Sequence, residues 1–475
     1  MTTAAYAARG VLRRRSGRSL RAQAFGRCAL RKRPLRRGPA HRDVLRRSAC
    51  RLPVDYLSEA VKLESMIKVD KKLRCKRCYS RIEEDWQLPN GQYYCRACIV
   101  FGRNQEGKEL YYFPSEKSEV DFPVLKWSGK LTPYQNEVSE KLLKTYKNQK
   151  HSLVHAVTGA GKTEMIYNIV AYVLENKNRV VIASPRVDVC RELFLRMQKD
   201  FTCSISLLHA DSEPYDGSPL VIATTYQLLK FYHSFDLIIV DEVDAFPFVG
   251  NVMLNHAVKQ AKTETGRYIY LTATSTLALE EQVRLGAIEK HHLASRFHGN
   301  PLVLPCFFWQ GRLQKSLTSD KLPRPLIHQI KKQRKSNFPL LIFFPNIALG
   351  EKFSITLKKY LPTEKIAFVS SKSEERSTIV EKFRKKELSI LVTTTILERG
   401  VTFSQVDVFV CMANHHLYTS SSLIQIGGRV GRSPERPTGK LYFFHEGLSK
   451  SMLQCRKEIN AMNKKGGFEN EVSTM

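Results

Sequence analysis

The sequence predicts an α/β fold: two domains, each a parallel sheet covered by helices, follow a small four-cysteine module and a basic tail. Three observations carry that expectation. Continuous apolar runs alternate with helix-length segments from Leu131 onward, a glycine turn joins one run to a helix at Ala156–Thr163, and the acidic cluster Asp241-Glu242-Val243-Asp244 ends another run. Runs that are apolar at every position suit strands buried on both faces, and parallel strands need helical crossovers. Ligands of such sheets collect at the carboxyl ends of the strands, so the residues found there are informative.

At 475 residues the chain is too long for one core, and two or three domains are expected. Its formal charge of +31 argues for a polyanionic partner. Residues 1–52 hold sixteen Lys and Arg against one acidic residue, Asp43, so about half of that excess sits in the tail. Fifteen of the sixteen are Arg, whereas the body favours Lys, and the composition changes near Pro53. The tail is expected to be disordered. It reads as upstream sequence from a misplaced start, ahead of a nucleic-acid-binding arm or a transit peptide. No stretch reaches eighteen apolar residues, so no membrane span is expected.

The expected organisation is a tail at 1–52, a zinc-binding module at 53–115, an ATP-binding domain at 116–308 and a second α/β domain at 309–475. In the module, Cys75-Lys-Arg-Cys78 and Cys95-Arg-Ala-Cys98 stand sixteen residues apart around an Asn90-Gly91 hairpin turn. Two such pairs supply four thiolates to a tetrahedral Zn²⁺. The remaining cysteines lie singly, which indicates a reducing compartment and not a disulfide framework. Lys71, Lys72, Arg74, Lys76, Arg77 and Arg96 surround the cysteines, which suits either a DNA contact or the solvated face of a structural clip.

In the first domain, Ala156-Val157-Thr158-Gly159-Ala160-Gly161-Lys162-Thr163 reads as a phosphate-binding loop. Glycines let several backbone N–H groups approach an anionic triphosphate, Lys162 reaches the β and γ phosphates, and Thr163 places a hydroxyl on Mg²⁺. Gln135, in the helix opening Thr132-Pro133-Tyr134-Gln135, stands where it would read an adenine edge. Asp241 is assigned to the metal and Glu242 to the attacking water. Thr272-Ala273-Thr274 ends a further strand and would couple this site to the rest. The second unit begins around Arg312 and has strands at Leu340–Asn346, Lys365–Ser370, Leu388–Thr395, Val406–Met412 and Lys440–His445. It contains no second phosphate loop, which makes it a partner domain. Its Gln425–Arg432 segment, QIGGRVGR, presents Arg429 and Arg432 as arginine fingers for the γ-phosphate.

Taken in order, AVTGAGKT, SPR, ATT, DEVD, TAT, TTTILERGVTF and QIGGRVGR resemble the motif set of superfamily 2 helicases and are similar to those of DEAD-box enzymes. The resemblance covers about residues 125–445 and implies two RecA-like domains with ATP between them. The preceding four cysteines, with LVHAVTGAGKTEMIY, DLIIVDEVDAFPF, RFHGNPL and SSLIQIGGRVGR, resemble the ComFA competence family of Gram-positive bacteria from Leu73 to Gly467. That resemblance implies a cytoplasmic DNA-dependent ATPase, held at the inner face of the membrane, that draws single-stranded DNA into the cell during transformation. Its implied partners are ComFC, DprA and the DNA-entry channel.

The resemblance places ATP on Thr158, Gly159, Ala160, Gly161, Lys162 and Thr163, with catalysis on Asp241, Glu242, Arg429 and Arg432 and Gln425 nearby. It places DNA on Pro185, Arg186, Thr224, Thr225 and Thr394. The implied cofactors are ATP, Mg²⁺ held by Thr163 and Asp241, and Zn²⁺ held by Cys75, Cys78, Cys95 and Cys98. A replication-restart helicase similar to PriA is the rival enzyme, but there the cysteines interrupt the helicase core instead of preceding it. An ATP-gated clamp that recruits ComFC without translocating needs the same nucleotide site, so the motifs leave it open.

Overall fold

The structure, a computed structural model, describes residues 60–114 and 119–468. The tail expected at residues 1–52 lies outside them. Among the described residues no helix is long and apolar enough to cross a membrane.

The cysteine module consists of short antiparallel pairs. β1 (Val61–Glu64) pairs with β6 (Glu109–Tyr112), β2 (Met66–Val69) with β3 (Lys72–Cys75), and β4 (Tyr94–Cys95) with β5 (Asn104–Gln105). The Asn90-Gly91 turn forms: the Gly91 N–H donates to the Leu88 carbonyl at 2.9 Å, and Gly91 takes φ +81°, which glycine adopts without strain. So small a module has little core of its own and borrows one. Its four cysteines share an apolar cluster with Phe231, Leu254 and Val258 of the next domain. Aromatic contacts seal the seam, with Tyr79 stacked on His256 at 5.0 Å and Phe101 against Tyr226 at 5.5 Å.

The first large sheet contains β7 (His151–Ala156), β8 (Val180–Ser184), β9 (Ile205–Leu208), β10 (Leu220–Thr224), β11 (Phe235–Asp241), β12 (Lys262–Thr272) and β13 (Ile288–Leu293). All neighbours are parallel, in the order β13-β7-β12-β11-β8-β10-β9. β12 lies between β7 and β11, so Thr272–Thr274 sits between the phosphate loop and the acidic cluster. The helix Pro133–Lys147 starts on a capping box. Thr132 accepts from the Gln135 N–H, and the Gln135 side chain accepts from the Thr132 N–H.

The second sheet contains β14 (Cys306–Trp309), β15 (Leu340–Phe343), β16 (Ile366–Val369), β17 (Ile390–Thr393), β18 (Asp407–Val410) and β19 (Leu441–His445), again all parallel, in the order β14-β19-β18-β15-β17-β16. It takes in Cys306–Trp309, on the N-terminal side of the boundary expected at 309. The final helix, Lys450–Lys465, returns to the connection between the sheets, where the Asn463 amide binds both the N–H and the carbonyl of Leu302 at 2.8 and 2.9 Å.

A buried carboxylate ties the second sheet to the turn that follows the arginine-finger segment. Asp407 is fully buried on β18 and accepts from Arg436 Nη2 at 2.6 Å, the Lys440 N–H at 2.7 Å and Gln333 Nε2 at 2.8 Å. Removing one member of such a set leaves the others buried and unpaired. Asp407→Ala should therefore destabilise the second domain by about 3 kcal/mol, seen as an earlier urea transition; an unmoved midpoint would show that the network contributes nothing.

Candidate active site and metal centre

The phosphate loop leaves β7 and turns through two left-handed glycines, Gly159 at φ +79° and Gly161 at φ +73°. At Gly161 a Cβ would stand 2.2 Å from Gln135 Nε2, so the position has no room for a side chain. Lys162 opens the helix Lys162–Met165, which resumes after Ile166 as Tyr167–Glu175. Its ammonium lies 3.9 Å from Asp241 Oδ1 at the end of β11. Glu242 follows at φ +56°, a costly conformation for a residue with a side chain, and one characteristic of functional sites. Its N–H donates to Asp241 Oδ1 at 2.9 Å. Burial pushes the Glu242 carboxyl up, against the opposing pull of Arg399.

The second domain closes the site. One cleft of about 510 Å³ is lined by Gly159–Thr163, Asp241 and Glu242 from the first domain and by Gln425, Arg429 and Arg432 from the second. Gly428 makes this approach possible, because a Cβ there would lie 1.9 Å from Thr158 Oγ1 of the loop. Arg432 donates to the Gly428 carbonyl at 3.1 Å. Arg429 is buried, and its Nε and Nη1 have no hydrogen-bond partner among the described residues. Burial, reinforced by Arg432, pushes its pKa well down.

Arg399, within the TTTILERGV segment, has no role assigned by the motifs, and the structure puts it at the centre. It is 3% exposed and forks onto Asp244, with Nη2 2.6 Å from Oδ2 and Nη1 3.2 Å from Oδ1. Thr272 and Thr274 donate to the same carboxylate at 2.9 and 2.6 Å, and Thr274 also meets Ser421 at 2.7 Å. Burial opposes the Asp244 charge, but the guanidinium and the two hydroxyls outweigh it and hold the carboxyl well below its usual range. Residues from both domains thus share one buried ion pair.

Several expected placements differ. Gln135 lines the cleft, but its amide is committed: Oε1 accepts from Thr132 and Nε2 donates to the Ala160 carbonyl at 2.8 Å, so the side chain braces the loop. Arg186, expected on a DNA face, turns toward the cleft carboxylates, 3.6 Å from Glu242 and 3.4 Å from Glu398. Thr224, Thr225 and Thr394 are buried, Thr225 to 1% exposure, so their hydroxyls are withdrawn from the surface; Pro185 stays partly exposed. Arg77, one of the six basic residues around the cysteines, is 1% exposed and faces inward.

The four cysteines are fully buried, and their sulfurs lie within 4.8 Å of one another, with Cys75 to Cys98 at 3.7 Å and Cys78 to Cys95 at 3.5 Å. A tetrahedral Zn²⁺ with Zn–S bonds of about 2.3 Å separates its thiolates by about 3.8 Å, so the residues fit the ion. Thiol hydrogen bonds, from Cys78 first, pull the Cys75 pKa down, while those involving Cys75 push Cys95 and Cys98 up. Asn104 donates to Cys75 Sγ at 3.1 Å. Arg77 donates to the Phe101 and Gly102 carbonyls and lies 4.0 Å from Cys98 Sγ. A buried guanidinium without a carboxylate suits the net negative charge of a zinc ion held by four thiolates.

Comparison with known proteins agrees with this architecture. Residues 128–277 match the family described as type III restriction enzyme, res subunit, and residues 321–434 match the helicase conserved C-terminal domain. The chain is 56% identical to competence protein ComFA of Streptococcus pneumoniae over 412 residues, spanning 86% of this chain and 94% of that protein. It is 35% identical to competence protein ComFA of Bacillus subtilis, spanning 84% and 88%. In fold it is similar to a solved structure of the DEAD-box helicase Mss116 bound to ssRNA and UDP-BeF, at 19% identity and TM-score 0.53, covering 70% of this chain and 72% of that one.

The charge around the cysteines is testable. Arg77→Met keeps all four ligands and should lower zinc affinity roughly ten- to a hundredfold in a competition titration with a chelator. Cys75→Ser should lose the metal outright; zinc retained at wild-type affinity in both variants would rule out the site.

Proposed function

The chain belongs to the ComFA family of competence proteins, and on that premise we propose that it is an ATP-driven motor on single-stranded DNA, acting in DNA uptake during transformation. Its coarser identity is a superfamily 2 ATP-dependent helicase-type ATPase. The observation that carries the reading is the shared cleft, in which Lys162, Asp241 and Glu242 face Arg429 and Arg432 of the other domain. Hydrolysis then requires the two domains to be together.

In this reading the loop N–H groups and Lys162 bind the β and γ phosphates. Thr163 and Asp241 would hold the Mg²⁺, which would supply charge neutralisation for the phosphates. Glu242, raised in pKa by burial, orients the attacking water and accepts its proton. Arg429 and Arg432 stabilise the charge that develops on the transferred group, a contribution on the order of 10³ in rate for arginine fingers in related chemistry. The Asp244–Arg399 pair makes domain closure sensitive to the state of the neighbouring Glu242.

DNA binding is supported by charge. Residues 309–475 hold 28 Lys and Arg against 14 Asp and Glu, so the second domain carries most of the body's excess. Affinity should fall steeply with salt as phosphate counterions are released. Pro185 and the backbone around Thr224, Thr225 and Thr394, at the carboxyl ends of the strands, are the contacts proposed for the strand; Arg186 is assigned to the cleft. Opening and closing of the cleft would ratchet the strand. Residence at the inner face of the cell membrane and association with ComFC, DprA and the DNA-entry channel complete the proposal, supported by the family relationship.

Hydrolysis, strand displacement and two substitutions test it. ATP hydrolysis should be stimulated by single-stranded DNA more than by duplex DNA or RNA, and triplex displacement should require hydrolysis; stimulation without displacement would favour a clamp. Lys162→Ala should abolish turnover with the fold intact. Arg399→Ala should retain nucleotide binding but lose at least about tenfold in DNA-stimulated turnover, and an unchanged ratio of stimulated to basal rate would remove Asp244–Arg399 from the coupling.

A further inference from the structure

The strap Arg296-Phe297-His298-Gly299, which follows β13 where the chain leaves the first sheet, touches both halves of the nucleotide cleft. The Phe297 N–H donates to the Gly159 carbonyl of the phosphate loop at 3.1 Å. From either side of it, Arg296 donates from Nη1, and His298 from Nε2 at 3.0 Å, to one acceptor, the Gly431 carbonyl. Gly431 stands between Arg429 and Arg432, and its carbonyl belongs to the peptide bond that leads into Arg432. The strap therefore ties the backbone that carries Arg432 to the loop assigned to the phosphates.

Local structure keeps these donors in place. Gly299, left-handed at φ +73°, donates its N–H to the Arg296 carbonyl at 2.9 Å and closes a turn that brings Arg296 and His298 to the same oxygen. Asn300 donates to His298 Nδ1 from its N–H at 3.3 Å and from its side-chain amide at 3.0 Å, so the neutral ring carries its proton on Nε2, where Gly431 accepts it. Gly431 lets the guanidinium approach, because a Cβ there would lie 2.8 Å from Arg296 Nη1.

A hydrogen bond to one carbonyl does not need a charged donor, and Arg296 brings one at a cost. It is 2% exposed, and its Nε and Nη2 have no hydrogen-bond partner among the described residues. Burial first, and then the like charge of Arg432, pull its pKa down to about 9. Such a guanidinium is unfavourable until an anion comes near. Gly159, Phe297 and Arg432 line the cleft and Arg296 does not, so an anion bound there reaches Arg296 through Arg432 and the Gly431 carbonyl.

We propose that Arg296, with His298, is a positioning residue for recognition of the terminal phosphate: the two side chains clamp the Gly431 carbonyl so that Arg432 meets the γ-phosphate, whose charge offsets the repulsion between Arg296 and Arg432. The proposal rests on the assignment of this cleft to ATP. A diphosphate lacks the group that Arg432 would meet and so makes little use of the clamp.

Calorimetric titration of the full chain with Mg-ADP and with the non-hydrolysable triphosphate Mg-AMP-PNP tests this, together with steady-state ATP hydrolysis on single-stranded DNA. Arg296→Gln should weaken AMP-PNP roughly tenfold or more, as for a lost hydrogen bond to a charged group, while ADP stays within about twofold. Retained ADP affinity also shows that the variant folds. Arg432→Gln should give the same pattern, and because Arg296 acts through Arg432, the double variant should lose little more turnover than Arg432→Gln alone. Equal weakening of both nucleotides would make the clamp a structural prop and overturn the proposal, as would unchanged AMP-PNP affinity or losses that multiply in the double variant. A wild type that binds neither nucleotide would overturn the assignment of the cleft to ATP, and the clamp with it; a wild type that binds both keeps that failure separate.

Discussion

The fork of Arg399 onto Asp244 is the interaction on which the arrangement of the two domains depends. Both groups are almost without solvent, and a charge taken out of water is costly unless paired and hydrogen-bonded. Each therefore requires the other domain. The same constraint acts on Arg186, which finds Glu242 and Glu398, and on Arg429, whose Nε and Nη1 have no hydrogen-bond partner among the described residues. A cleft that buries a guanidinium with unpartnered nitrogens beside a glycine loop and a lysine is electrostatically complementary to a polyphosphate.

Close approach is the second half of that constraint. Charges across a domain boundary reach each other only if nothing bulky stands between the backbones. Gly428 meets the Thr158 side chain, and Gly431 leaves no space beside the Pro437 carbonyl, where a Cβ would lie 2.1 Å away. Gly428 of QIGGRVGR thus serves docking across the boundary, Gly431 serves packing within its own domain, and the arginines serve charge. The cysteine module is tied into the same body, since Tyr226, which packs on Phe101, directly follows Thr224-Thr225 at the end of β10. A metal site that rigidifies the module therefore also fixes where that strand end lies.

What was legible in the sequence follows from what each residue's surroundings demand of it. Central strands such as Ile238–Val240 or Leu340–Phe343 are buried on both faces, and their apolar runs announce them. Within the two large sheets, β9, β13 and β14 are given no strand by the sequence pattern, and all three lie at sheet edges; Ile288–Leu293 carries Glu289, Lys290, His291 and His292, which an open flank tolerates, while Ile205–Leu208 and Cys306–Trp309 are too short to stand out as runs. The phosphate loop and the cysteine pairs were legible because their chemistry is local. Arg399, Arg186 and Arg77 were not, because whether an arginine faces water or a buried anion is decided by residues tens or hundreds of positions away.

The strap around Phe297 shows the same limit in a useful form. RFHGNPL has no pattern that local physics explains: a basic residue, an aromatic and a histidine before a left-handed Gly299 resemble any surface turn. Its meaning lies in two backbone carbonyls, those of Gly159 and Gly431, which belong to different domains and accept from three consecutive residues. A covalent connection held to both loops cannot let one domain move without moving the other's contact. Any step that separates the arginine fingers from the phosphate loop must therefore break or shift these hydrogen bonds, so the strap's position reports the state of the cleft to the chain on either side of it.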